Sequence, residues 1–287
     1  MRINREYIKG FGTSFTALAV VGAMVATALV SEPALAQSSV DNDSPFQFHD
    51  LDSGTDENLS FDAEKVDSAS VKALEFAAEE GDEIAMWQLG RHYSVVAKGE
   101  GNHLRAFEMF SRLVRTQGQR TPYSDKAPFT AHALVSLGSY YRKGIPDTYV
   151  SRNSDLAWSM FMTAATSYGD PRAQYSLFQM CDSELTDRCS QVQAGRWLKR
   201  SAVNGEINAQ ARFGYRLFEG EKGVRRDKVA GLTWLTIARE RAHVARHAQV
   251  FDLHERAFSL ASAEERSEAR IRAEKWMQRK CGNVLTC

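Results

Sequence analysis

The segment Ala85-x-x-x-Leu89-Gly90-x-x-Tyr93 decides the fold of this chain, because its pattern returns three more times. The later copies begin at Ala133, Ala173 and Ala209, so the leading alanines are 48, 40 and 36 residues apart. Repeats of this length are typical of solenoids built from stacked helix pairs. The pattern therefore predicts an all-α protein that exposes a long surface for other proteins.

The repeated residue types have a structural explanation. An alanine and a leucine four positions apart lie on one helix face, where the small residue lets the partner helix approach and the leucine fills the core. A glycine beside the leucine is expected where a neighbouring helix leaves no space for a Cβ. The residues that define the repeats are Ala85, Leu89, Gly90, Ala133, Leu137, Gly138, Ala209 and Gly214 in the first helices and Trp158, Trp197 and Trp234 in the second.

Four helix pairs follow from this pattern. The first helices are predicted at roughly 83–96, 130–143, 171–181 and 207–219, and the second helices at roughly 102–115, 153–168, 191–204 and 227–240. Val71 to Glu80 is expected to be the second helix of an incomplete leading repeat. The segment 116–129 contains Gly118, Pro122 and Pro128 and is expected to project as a loop. The solenoid is placed at 70–240 and a C-terminal helical cap at 241–287, with a capping helix that starts near Ser262.

The first 36 residues have the features of a signal peptide. Arg2, Arg5 and Lys9 precede an apolar run from 11 to 30, and Ala34-Leu35-Ala36 follows as a small-x-small cleavage site. We expect cleavage between Ala36 and Gln37 and export to a bacterial periplasm. The alternative is an uncleaved membrane anchor, since about 20 apolar residues can span a bilayer.

Charge is distributed unevenly along the chain. Residues 37–70 contain nine acids and a single Lys, Lys65, which predicts an acidic disordered tail over 37–69. Residues 71–287 contain 25 acids and 32 bases, and the basic excess gathers after residue 195. Two interpretations remain open, a solvated helix face and a docking surface for an acidic partner or for the tail itself. Export argues against nucleic acid as the partner.

The four cysteines are candidates for disulfides in an oxidising compartment. Three pairings exist, and we favour the local one, Cys181 with Cys189 and Cys281 with Cys287, because each closes a short loop. A structural zinc site lacks the cysteine and histidine spacing that it requires.

The repeat pattern resembles the Sel1-type repeat, a relative of the tetratricopeptide repeat. The best copy runs from Ala209 to Trp234, with Gly220, Val224, Asp227 and Ala230 in place. The resemblance covers about residues 70–240 and implies a right-handed α-solenoid. The third repeat departs from the pattern, because Phe178 replaces the glycine and the segment from Cys181 to Cys189 replaces the glycine turn, as in disulfide-braced members of the family.

The order of signal peptide, acidic tail, four repeats and cysteine-bearing end resembles periplasmic regulators of exopolysaccharide production in rhizobia and their relatives. The resemblance implies a negative regulator that binds the periplasmic domain of a membrane sensor histidine kinase and holds it inactive. It also implies a periplasmic protease that removes the regulator, and outputs in exopolysaccharide synthesis, motility and host interaction. The alternatives are a secreted adaptor or effector that binds envelope or host proteins, and a cell-wall-modifying enzyme.

The sequence contains none of the common catalytic motifs that would indicate an enzyme. The sequence has no G-x-S-x-G elbow, no phosphate loop, no H-E-x-x-H and no S-x-x-K with its supporting motifs. We therefore predict no catalytic residues, no cofactor, no metal and no small-molecule substrate. His243, His247 and His254 are hypothesised to sense acid, because histidine changes charge between pH 5 and 8 and arginines surround them.

Overall fold

The computed structural model describes residues 61–96, 100–117, 124–183, 188–222 and 224–281. In this part of the chain, which belongs to one compact unit, Phe46–Cys287, the regular structure is entirely helical. A short 3-10 helix at Ala63–Lys65 comes first. The α-helices are α1 Ser68–Glu79, α2 Glu83–Val95, α3 Glu100–Gln117, α4 Ala127–Lys143, α5 Ser154–Ser167, α6 Pro171–Asp182, α7 Gln191–Val203, α8 Ile207–Glu219, α9 Lys228–Arg241, α10 Ala248–Leu260 and α11 Ala263–Cys281.

The helices form four pairs that stack in chain order. Within each pair α2 packs on α3, α4 on α5, α6 on α7 and α8 on α9. Each second helix also packs on the first helix of the next repeat, and α1 packs on α2 as the second helix of an incomplete repeat would. The predicted helical repeats are thus confirmed, and their ends lie within a few residues of the predicted positions.

The glycines three residues before Tyr93 and Tyr141 pack against the second helix of their own pair. A Cβ on Gly90 would lie 2.5 Å from the ring of Phe110, and one on Gly138 would lie 2.6 Å from the ring of Phe161. Both rings belong to the second helix of the same pair and are fully buried. The absence of a side chain therefore allows the two helices to approach closely.

A glycine followed by an acid connects three of the repeats. Gly81, Gly169 and Gly205 have φ of +97°, +69° and +102°, a left-handed conformation that glycine adopts without strain. The following acids, Asp82, Asp170 and Glu206, accept hydrogen bonds from the first backbone N–H groups of the next helix. One dipeptide thus ends a second helix and starts the next first helix.

Two buried glutamines form a polar connection that the sequence pattern did not predict. Gln174 Nε2 donates to the carbonyl oxygens of Ala165 and Gly169, and its Oε1 accepts from Asn204 Nδ2 at 3.0 Å. The equivalent residue one repeat later is Gln210, whose Nε2 donates to Ala202 O at 3.1 Å. Each glutamine satisfies carbonyls at the end of the preceding second helix.

Two boundaries in the N-terminal half differ from the sequence prediction. Residues 61–69 were assigned to the acidic tail, but Phe61 packs on Trp87 with ring centroids 5.9 Å apart, and the Ala63 carbonyl lies 2.9 Å from His92 Nδ1. The loop predicted at 116–129 is shorter, because α3 continues to Gln117 and α4 begins at Ala127. Pro128 fits the start of α4, where no backbone N–H is needed.

The last two helices cover the end of the stack separately. α10, which the sequence interpretation did not separate from the cap, packs on α8 and α9, whereas α11 packs on α9. The rings of Trp234 and Trp276 join α9 to α11 with centroids 5.6 Å apart. α11 starts as predicted, with Ser262 and Glu265 bonded reciprocally in a capping box.

Candidate protein-binding surface

One stripe of residues on the first helices faces away from the paired second helices. It comprises the residue before the repeat alanine and the residues three and six positions after it. On a helix these three positions lie opposite the alanine, leucine and glycine that pack on the second helix. We call this surface the first-helix stripe, and its twelve residues are Ile84, Gln88, Arg91, His132, Ser136, Ser139, Arg172, Ser176, Gln179, Asn208, Arg212 and Tyr215.

Side chains from three consecutive first helices converge in the N-terminal half of the stripe. Arg91 of α2 lies with its guanidinium 5.3 Å from the ring centroid of Trp87, and the ring of His132 in α4 lies 5.8 Å from the same indole. Burial lowers the pKa of His132 well below its usual range, and the positive charges of Arg172 in α6 and of Arg91 lower it further. His132 is therefore a neutral residue between two arginines.

The C-terminal half of the stripe borders a small cavity. Asn208 and Arg212 of α8 line it together with Tyr175 of α6, and α10 contributes Gln249, Val250 and Leu253. Burial raises the pKa of the Tyr175 phenol, so that this ring keeps its hydroxyl proton. The stripe is more open here, because Asn208, Arg212 and Tyr215 are only half-buried, whereas its residues in α4 are buried and the Arg172 side chain is 10% exposed.

The composition of the stripe is one-sided. It contains three arginines and a histidine, and none of its twelve residues is acidic. Two carboxylates contact the stripe: Asp170, which caps α6, accepts from Arg172 Nη2 at 2.7 Å, and Glu206 accepts from Asn208 Nδ2 at 3.0 Å. Arginine and tyrosine are the residue types enriched in the energetic centres of protein interfaces.

The basic residues after 195 do not form one surface. Arg196, Lys199 and Arg200 are exposed on α7, a second helix. Arg216, in contrast, is 1% exposed and donates to Asp182 Oδ1 at 2.7 Å. Of the basic residues after 195, Arg212 is the one that lies on the first-helix stripe. Their shared place in the sequence therefore did not show which surface each of them occupies.

The pair of Arg216 and Asp182 lies beside the disulfide. Cys181 and Cys189 are bonded and close the segment between α6 and α7. Burial raises the pKa of Asp182, but its hydrogen bonds from Lys222 and Arg216 outweigh this and leave the pKa below its usual value. The Cys281 side chain and Cys287 lie outside the described residues, as do the signal peptide, Ala36 and Gln37.

The three candidate histidines have different environments. His243 and His247 lie in the turn between α9 and α10 rather than on a helix, and the backbone N–H of His243 donates to His247 Nδ1 at 2.9 Å. His254 is stacked on Phe258 and only 8% exposed. Burial, together with the charge of Arg239, lowers the pKa of His254 to about 4.

A titratable group that the sequence reasoning missed is Glu206. It caps α8 from a buried position, and its carboxylate accepts from the backbone N–H of Ala209 and from Asn208 Nδ2. Burial raises its pKa to about 7, although these hydrogen bonds and the charge of Arg241 act in the opposite direction. Only the structure shows that α9 and the Gly205 turn enclose this acid.

The described ranges contain neither a metal-binding cluster nor a membrane-spanning helix. There, no group of three or more His, Cys, Asp or Glu side chains is arranged to hold a metal ion. No helix in this part of the chain combines the length and apolar character needed to cross a membrane.

The chain is similar in sequence to two regulators of known name and in fold to one solved structure. The chain is 33% identical over 186 residues to the exopolysaccharide production negative regulator of Rhizobium meliloti (strain 1021), which covers 64% of this chain and 66% of that protein. It is 32% identical over 186 residues, with the same coverage, to the protein of the same name from Rhizobium leguminosarum bv. viciae. The chain thus spans slightly less than two thirds of each relative.

The structural comparison concerns the fold alone. The crystal structure of a Sel1 repeat protein from Oxalobacter formigenes superposes with a TM-score of 0.50 and 23% identity, covering 61% of this chain and 64% of that one. No protein-family model matches the chain.

Proposed function

We propose that this chain, which has the Sel1-repeat fold and resembles the rhizobial exopolysaccharide production negative regulators, is itself a negative regulator of exopolysaccharide production. It acts by binding another protein and carries out no chemistry of its own. The observation that carries this proposal is the first-helix stripe, whose more open part on α8 presents Asn208, Arg212 and Tyr215.

The proposed partner is the periplasmic domain of a membrane sensor histidine kinase, which the chain holds inactive. The more open part of the stripe, from Ser176 to Tyr215, is the proposed centre of the interface. Arg212 lines the small cavity together with Tyr175, and a partly buried arginine loses little rotamer freedom on binding and can form paired hydrogen bonds with carboxylates. The kinase domain is therefore expected to present acidic side chains to α6 and α8.

Crosslinking in cells tests the partner. The tagged chain is crosslinked in the envelope and the products are identified by mass spectrometry. We expect to recover one sensor kinase, and we expect Arg212→Glu to reduce the recovery at least about tenfold, as loss of an interface centre does. Arg196→Glu, an exposed arginine on a second helix, is the matched control. Recovery of wall enzymes or outer-membrane proteins, or an equal effect of both substitutions, would contradict the proposal.

The compartment and the release step complete the proposed mechanism. The signal peptide is cleaved between Ala36 and Gln37, and the mature chain remains in the periplasm. Under acid conditions or on host contact, a periplasmic protease degrades the chain and thereby releases the kinase. Cell fractionation with N-terminal sequencing tests the first part. The half-life of the chain after a shift to acid medium tests the second, and an unchanged half-life would contradict it.

A further inference from the structure

One arginine of the first-helix stripe is left without an acceptor. Arg212, on α8, makes no hydrogen bond and no ion pair with any of the described residues. In contrast, Arg172 donates to Asp170, and Arg216, one turn further along α8, donates to Asp182. A half-buried arginine normally has an acceptor, because its N–H groups otherwise lose hydration without compensation. The guanidinium of Arg212 is therefore available to a ligand.

Arg212 lines the small cavity between α6, α8 and α10. The buried residues of the lining are apolar, and they are Ala211, Val250 and Leu253. Gln249, near the start of α10, is an exposed residue of the same lining, and its amide has no hydrogen-bond partner in the part of the chain that the structure describes. An apolar wall keeps the local dielectric low, which strengthens a hydrogen bond between a guanidinium and an anion.

The polar groups that line the cavity are mostly donors. Burial raises the pKa of the Tyr175 phenol, so this hydroxyl keeps its proton and can donate it. The amide of Gln249 offers a further N–H group, whereas Asn208 Nδ2 already donates to Glu206. Together with the fork of Arg212, these groups suit an anion that has two acceptor oxygens.

The cavity is small. Its space, including the open side, is about 200 Å³. Sites that enclose a drug-sized ligand have about 300–1,000 Å³, so this one admits only the end of a single side chain. Among the groups of an unmodified protein, the carboxylate of an aspartate or glutamate is the anion whose planar shape matches an arginine fork.

The acid behind the cavity does not prevent an anion from binding. Glu206 lies behind Asn208, and the charge of Arg241 on α9 acts on it from the other side. Burial raises the pKa of Glu206 to about 7, so this side chain is mostly protonated at pH 6. A carboxylate in the cavity then meets the charge of Arg212 without a second anion beside it.

We propose that the cavity between α6, α8 and α10 is an anchor site for one carboxylate side chain of the partner protein. Arg212 is the paired donor, and Gln249 of the C-terminal cap is a second donor from the opposite wall. Only the source of the carboxylate rests on the proposed function. The inference gives α10 a part in binding, in addition to covering the end of the stack.

Titration of the purified full chain with short peptides tests the site without the kinase. The probe is acetyl-Gly-Glu-Gly-amide at pH 6, and the neutral control is acetyl-Gly-Gln-Gly-amide. Binding is followed by the NMR signals of Arg212 Nε–H and of the Gln249 side-chain amide. We expect a saturable shift of both signals and an affinity at least about tenfold higher for the glutamate peptide, because charge-assisted hydrogen bonds are the stronger ones.

Two substitutions assign the donors. Arg212→Lys keeps the charge but loses the fork and should weaken binding at least about fivefold, as reported by the signal of Gln249. Arg196→Lys, at an exposed arginine of α7, is the matched control and should leave the affinity unchanged. Gln249→Ala changes an exposed side chain and should weaken binding about threefold without loss of the fold, as reported by Arg212.

Several results would overturn the inference. They are equal affinity for the two peptides, a shift that does not saturate, and equal effects of Arg212→Lys and Arg196→Lys. An unchanged affinity of Gln249→Ala would remove α10 from the site. Peptide binding without recovery of a kinase from cells would support the anchor site and contradict only the proposed partner. Recovery of the kinase without peptide binding would do the reverse.

Discussion

The carbonyl oxygen of Gly231 lies 2.7 Å from the position that a Cβ on Gly214 would occupy. The backbone N of Leu235 lies 2.9 Å from the same position, so the contact is between helix backbones and cannot be relieved by a side-chain rotation. At Gly90 and Gly138 the nearest atoms belong to phenylalanine rings instead. Of the three helix pairs with such a glycine, α8 and α9 are therefore the pair whose backbones approach each other most closely.

Gly214→Ala is expected to destabilise the chain by about 2 kcal/mol, because overpacking a core that cannot relax costs about 1–3 kcal/mol. Gly195→Ala is the matched control, since a Cβ at Gly195 in α7 meets no atom within 4 Å. That substitution should instead stabilise by roughly 0.5–1 kcal/mol through helix propensity. Urea unfolding measures the stability of both variants. If Gly214→Ala and Gly195→Ala change the free energy of unfolding equally, the close backbone contact at Gly214 does not limit stability.

Glu206 should make the chain more stable in acid than in base. Its pKa is about 7 in the folded state against 4.5 in the unfolded one, so this contribution is fully present below pH 4.5 and is lost as the pH rises through 7. A difference of this size corresponds to stability on the order of 3 kcal/mol. Glu206→Gln keeps an acceptor for the α8 cap and should remove this pH dependence. The free energy of unfolding is measured at pH 5 and pH 8 for the wild-type chain and for Glu206→Gln. The same change between the two pH values in both proteins would contradict the prediction.

His254 should act in the opposite direction. Its folded-state pKa of about 4 lies below the unfolded value of 6.5, so its contribution is present above pH 6.5 and is lost as the pH falls through 4. His254→Gln is expected to reduce the loss of stability between pH 6.5 and 4, whereas His243→Gln, at an exposed residue, should not. Thermal unfolding across this range tests the pair. If the two substitutions behave alike, the burial of His254 does not control acid stability.

Removal of the disulfide should destabilise the α6–α7 region. Cys181 and Cys189 are eight residues apart, and a loop of this length contributes about 2–3 kcal/mol through the entropy of the unfolded chain. The double substitution Cys181→Ala and Cys189→Ala should lower the free energy of unfolding by this amount. A reducing agent should have at least this effect on the wild-type chain and a smaller one on the double variant, in which only the predicted Cys281–Cys287 pair is left to reduce.

The helices could be predicted because their signals are local. The Ala, Leu and Gly spacing reports which face of each helix is buried, and packing against the paired helix fixes those residue types. The first-helix stripe could not be predicted in this way, since its positions do not pack on the paired helix and accept Ile, Gln, His, Arg, Ser and Asn alike. It became visible only when the four helices were seen side by side.

The burial of individual titratable residues could not be predicted from the sequence either. His254 and Glu206 are buried by α9, α10 and the Gly205 turn, elements that are distant or separate along the chain. The sequence placed His243 and His247 one helical turn apart, but Ala242 ends α9 and the two lie in a turn. A solvated and a buried histidine have the same local sequence signal.

The glutamine connections imply that the two halves of the stack lose their structure differently. Gln174 joins the end of α5 to the end of α7, and Gln210 joins the end of α7 to Arg241 at the end of α9. Met86 and Leu134 occupy the same position in the first two repeats, where directional bonds of this kind cannot form. We expect α5 to α9 to open as a single cooperative unit in native-state hydrogen exchange, while α1 to α3 fray one repeat at a time. A protease that requires an unfolded stretch would then begin at the N-terminal repeats.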